Sequence, residues 1–248
     1  MLRNFDDHEG DEIQGERHSD ATAPGAGSRR SFLRKSALAT AAPAALLVGG
    51  PAAEAASRNS RNKNNNISAF PAIGAPNFLR DHFLNVVNNE NAHLSALLAE
   101  LGPNARPKPT FQNITPANVR QFAQMGSMFC ATGAGAYLGA APYIANPYLV
   151  TQAGSIGQVE LTQAGFLNSI LGQTLLPGGS PFSVPLTLQE VVARATPFIA
   201  SLNGGPPPSF STTDRSLEND IAIFNVALIL EYLEHDFYNT YFPIFYPA

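Results

Sequence analysis

From about residue 77 onward, apolar side chains recur every three or four positions in long runs, the periodicity of helices with one buried face. The first run spans about Asn77 to Leu101, with Phe83, Val86, Val87, Leu94, Leu97, Leu98 and Leu101 on one stripe. Gly102-Pro103 stops it, a glycine suited to the C-terminal turn followed by a residue that cannot continue a helix. A second run opens at Thr115-Pro116, an N-cap with proline at the first helical position, and ends at about Ala140 before Pro142. A third opens at Asn146-Pro147 in the same way and runs to about Gly172. Thr187 and Glu190 form a T-x-x-E capping box that starts a short helix. The last run extends from about Asp214 to Thr240, with Phe224, Leu228, Tyr238 and Tyr241 on one side. No run of alternating β-branched residues competes. The expected fold class is all-α, a four-helix bundle plus one short extra helix.

Composition narrows the function. A chain of 248 residues that is 44% hydrophobic can build a sizeable core, and its single Cys excludes an intrachain disulfide. The net charge of −4 disfavours a nucleic-acid partner. No Ser-His-Asp arrangement, phosphate-cradling glycine loop or Cys-x-x-Cys pair points to another enzyme class.

The first 55 residues read as an address. A polar acidic leader precedes Ser28-Arg29-Arg30-Ser31-Phe32-Leu33-Arg34-Lys35, then an alanine-rich apolar run from Ala37 to Val48 and an A-x-A site at Ala53-Glu54-Ala55. The order resembles a twin-arginine export signal, with Arg34 where the pattern has Lys. The apolar run is shorter than the roughly 20 residues a bilayer requires. The resemblance implies the twin-arginine export machinery as a partner, a periplasmic or extracellular bacterial destination, and no stable membrane anchor after cleavage. Residues 56–75, rich in Asn and Ser, read as a flexible linker, and 76–248 as the bundle.

Past residue 55 only nine Lys and Arg and eleven Asp and Glu remain, so each acid on an apolar stripe stands out. On the first helix Glu90 and His93 take stripe positions between Val86 and Leu97, and their i, i+3 spacing aims both to one place. On the third, Glu160 falls between Ile156 and Ala164 and is the only charged residue between Arg120 and Glu190. On the last, Glu231 follows Leu228, with Glu234 expected to face solvent and His235 one turn away as a candidate further ligand. A buried carboxylate has to be paired, protonated or metal-bound. Two readings stay open for Glu90, His93, Glu160 and Glu231: a metal site, and a metal-free polar layer that fixes helix register.

E-x-x-H on a bundle helix with carboxylates on its neighbours resembles the ferritin-like carboxylate proteins. Several segments are similar to the exported ferritin-like family that includes desiccation-related proteins. They are Asn88 to Leu94, Gly133 to Pro142, Ser155 to Ala164, Ala195 to Ile199 and Phe224 to Tyr238, with Leu230-Glu231-Tyr232-Leu233-Glu234 resembling that family's first helix. The resemblance implies a ferritin-like bundle whose helix order is circularly permuted, so that residues 214–240 pack antiparallel to 77–101. It also implies six metal ligands, of which Glu90, His93, Glu160 and Glu231 are kept. Cys130 stands at a Glu position and Gln163 at a His position. A carboxylate-bridged di-iron centre is then short of ligands. One ion remains feasible: iron, manganese, zinc, or none at all. A Cys130 thiolate would favour zinc, whereas a thiol would be a small core residue. The implied role is non-catalytic or stress-protective. The alternatives are a di-metal oxidoreductase or iron-storage protein of ferroxidase or catalase type, and an interaction module without metal. Self-association into a homo-oligomer stays open.

Overall fold

The computed structural model describes residues 75–247, so the segment that resembles an export signal, and most of the expected linker, lie outside the described residues. Four long helices and one short one form the bundle: α1 (Phe78–Leu101), α2 (Val119–Ala140), α3 (Pro147–Ile170), α4 (Leu188–Ala195) and α5 (Leu217–Phe245).

The helix starts follow side-chain capping. Asn146 accepts from the Tyr148 amide at the start of α3, and Thr187 and Glu190 complete the expected capping box of α4. Helix α2 begins later than Thr115-Pro116 suggests. Asn118 accepts from the Gln121 amide, Gln121 accepts in turn from the Ala117 amide, and Thr115 is drawn instead to the Tyr241 hydroxyl at 2.8 Å. Helix α5 starts at its Ser216 cap rather than at Asp214 and continues through Pro243 to Phe245.

Helix directions follow from cross-links at both ends. Asn239 bonds Asn91, while Asn225 reaches Asn104 just past α1, so α5 runs antiparallel to α1. Ser127 bonds Asn168 and Cys130 bonds Gln163, so α2 and α3 form an antiparallel hairpin. Tyr238 meets Cys130 and Glu231 meets Tyr137, which sets α5 antiparallel to α2 as well. Residues 102–118 and 171–216 therefore each return the chain along the bundle. Two short strands on these connections, β1 (Thr110–Phe111) and β2 (Ile199–Ser201), pair antiparallel and tie the two together, a feature the helical periodicity does not foretell.

Apart from a small cluster that packs α4 onto the bundle through Val191, Ala195, Ala136 and Val226, the core falls into two apolar halves. One is built around Leu97, Leu101, Ile156, Phe224 and Leu228, the other around Phe83, Phe122, Leu167, Phe237 and Tyr238. On α1, α3 and α5 the acids Glu90, Glu160, Glu231 and Glu234 lie between the residues of the two halves. Among the described residues no helix is long and apolar enough to cross a membrane.

Candidate metal centre

The layer between the two halves is made of charged groups. Glu90, Glu160, Glu231 and Glu234 are at most 1% exposed, and His93 is 8% exposed. His93 Nδ1 sits 3.1 Å from Glu160 Oε1, 3.5 Å from Glu231 Oε2 and 3.6 Å from Glu90 Oε2. Ligands on an ion with bonds of about 2.1 Å stand roughly 3 Å or slightly more from one another, and these separations are of that size. One oxygen or nitrogen from each of Glu90, His93, Glu160 and Glu231 lies within 4.8 Å of the others. The structure thus brings together the four residues singled out in the sequence.

Neighbours hold the layer in place. Tyr137 donates to Glu231 Oε1 at 2.7 Å. Gly133 faces Glu160: a Cβ at that position would lie 3.3 Å from Glu160 Cγ and Oε2, so the missing side chain leaves the carboxylate its room. Cys130 donates to Gln163 Oε1 at 3.1 Å and lies 3.4 Å from the Tyr238 hydroxyl.

Glu234 corrects the sequence reading. It is buried, because residues 226–234 of α5 are buried without a break and the helix has no solvent face there. One atom each from Cys130, Glu160 and Glu234 gather within 4.8 Å, a second cluster that shares Glu160 with the first. The i, i+3 spacing of Glu231 and Glu234, the same as that of Glu90 and His93, is the signal that could have found it. His235 does not join. It is partly exposed, and its Nδ1 lies 3.3 Å from Asp236 Oδ1.

The electrostatics are unbalanced. Burial pushes the Glu90, Glu160 and Glu234 carboxyls above the usual carboxylate range; the charges of the neighbouring carboxylates push the same way, and His93 opposes them at Glu90 and Glu160 without cancelling the rise. Burial also opposes charge on His93, but hydrogen bonding to Glu160, Glu231 and Glu90 overcomes it and carries the imidazole up to about 12. The Cys130 thiol is raised by burial and by the charges of Glu160, Glu234 and Glu90. One imidazole faces four carboxyl groups, more acid than a single base can neutralise. Both oxygens of Glu90, both of Glu234, one each of Glu160 and Glu231, and Gln163 Nε2 make no well-formed hydrogen bond. Burying such groups unsatisfied costs about 1–3 kcal/mol each, more when charged. A divalent cation would give the oxygens a partner and, with His93 deprotonated, offset part of the carboxylate charge, so the donor set fits a metal.

Residues 52–173 match the family model for a ferritin-like domain. The bundle is ferritin-like. The match spans α1 to α3 and with them Glu90, His93, Cys130 and Glu160, whereas the ferritin-like bundle's last helix, with Glu231 and Glu234, lies beyond it. No curated protein and no solved structure shows significant similarity to the chain.

Proposed function

We propose that this chain is an exported ferritin-like protein that binds a transition-metal ion through Glu90, His93, Glu160 and Glu231. The single observation that carries this reading is the set of orphaned carboxylate oxygens around His93 Nδ1 at the centre of the buried core. An ordinary register-fixing layer would satisfy its members through hydrogen bonds, and this one does not.

In this reading Glu160 and Glu231 reach the ion from α3 and α5, and Glu90 and His93 reach it from α1. Tyr137 orients Glu231, as partners behind the ligands commonly do in metal sites. The two apolar halves keep bulk water from the carboxylates. A bound redox-active ion would supply one-electron chemistry, and a redox-inert one only structural stability. The role proposed is stress protection in the cell envelope, in kinship with desiccation-related proteins. The antiparallel α5–α1 pair followed by the α2–α3 hairpin supports a permuted helix order, because it is the pairing expected when α5 takes the first place.

The test is thermal unfolding before and after chelation of protein isolated from its native host. A ligand that binds only the folded state stabilises it by mass action, by about 4 kcal/mol at a thousand times Kd. A lower melting temperature after chelation supports the reading. An unchanged one, with no metal found by elemental analysis, rejects it.

A further inference from the structure

The first metal reading leaves part of the buried polar layer unused. Glu234 is 1% exposed, and neither of its oxygens forms a well-made hydrogen bond. Glu160 Oε2 and Gln163 Nε2 share that condition. Cys130, fully buried, lies with Glu160 and Glu234 within 4.8 Å. We propose that Cys130, Glu160 and Glu234 form a second, thiolate-containing subsite for a borderline-soft divalent cation of the zinc class, with Glu160 shared between two ions. This inference rests on the proposed function, since the two sites have Glu160 in common.

The ligand chemistry departs from an all-carboxylate and imidazole pair of sites. A thiolate selects softer ions than carboxylates do, so the two positions would hold different metals. Glu234 brings a carboxylate to the side of the layer where Cys130 and Gln163 stand. When the ion binds, the Cys130 S–H proton passes to solvent and the sulfur lone pair forms the metal–sulfur bond, with no change of oxidation state. Glu234 lines a narrow cleft with Met128, Thr132, Arg194 and Leu233, of which Met128 and Arg194 are exposed.

Cobalt(II) titration of the metal-stripped protein tests this, because a thiolate on cobalt gives a near-ultraviolet charge-transfer band that carboxylate and imidazole do not. The expected result is two equivalents bound, with the band growing in for one of them. Cys130→Ser should abolish the band and keep one equivalent. His93→Gln should lose that other equivalent and keep the band. Glu234→Gln, which preserves shape, carries the test if Cys130→Ser fails to fold. It should weaken the band-forming equivalent by about 100-fold or more, since even groups behind the ligands cost about 10–100-fold. One equivalent without a band overturns this subsite and leaves the proposed function standing. No binding overturns both. A band lost in His93→Gln also overturns the subsite, since it would place the thiolate and His93 on one ion.

Discussion

Glu160 on α3 and His93 on α1 meet across the bundle at 3.1 Å, both buried and Glu160 fully shielded from solvent. The contact makes Glu160→Gln diagnostic. Without metal the substitution removes one of four crowded carboxylates and keeps the shape. Melting of the stripped variant should then be unchanged or higher, by up to about 1–4 kcal/mol of stability. With metal the same change removes a ligand, and both affinity and melting temperature should fall. Paired thermal melts with and without chelator read the two signs. A loss in the stripped protein as large as in the loaded one would contradict this account.

The raised carboxyls dictate a pH dependence. Glu90, Glu160 and Glu234 hold protons in the folded state at pH values where the unfolded chain, titrating near 4.5, has released them. The folded state then binds more protons, so stability of the metal-free protein falls as pH rises above about 4.5. His93 acts in the same direction above about 6.5, where the unfolded imidazole releases its proton and the folded one keeps it, so its contribution is also lost as pH rises towards about 12. Bound metal displaces the protons, so its stabilising effect should grow with pH. Chemical denaturation at pH 5 and pH 8, stripped and loaded, measures both trends. A stripped protein more stable at pH 8 would show the carboxylates to be ionised and satisfied by other means.

Much of this was legible in the sequence. Four helices, the α4 capping box and the inward placement of Glu90, His93, Glu160 and Glu231 follow from periodicity, since each replaces an apolar residue on a stripe. Glu234 was legible in the same way and was misread: it stands three residues after Glu231 and four before Tyr238, on one face, and α5 has no outer face between 226 and 234 for it to occupy. The start of α2 was misplaced because Thr115-Pro116 is a good local signal that Asn118, with Gln121 reaching back, outcompetes. The β1–β2 ribbon joins residues far apart in the chain, which no local pattern encodes.

Tyr137→Phe isolates orientation from ligation. The hydroxyl donates to Glu231 at 2.7 Å in a buried setting, and hydrogen bonds to charged groups contribute about 1.5–3 kcal/mol. Metal affinity should drop about 10–100-fold with the helical spectrum unchanged. Calorimetric metal titration makes the comparison, and wild-type affinity in the variant would remove Tyr137 from the account.

The proposed export would depend on residues outside the described fold. Replacing Arg29-Arg30 with Lys-Lys should leave the protein in the cytoplasm, because the twin-arginine machinery reads that pair. Fractionation of cells expressing the variant shows where it resides, and normal export would mean that another signal directs it.

The central claim is that a metal ion occupies the layer between the two apolar halves. Anomalous diffraction at the absorption edge of the metal found in the native protein tests it most directly. The account predicts a peak within bonding distance of His93 Nδ1 and the carboxylates of Glu90, Glu160 and Glu231. A metal-containing crystal whose anomalous peaks all lie on the surface, with His93 still hydrogen-bonded to Glu160, would contradict it.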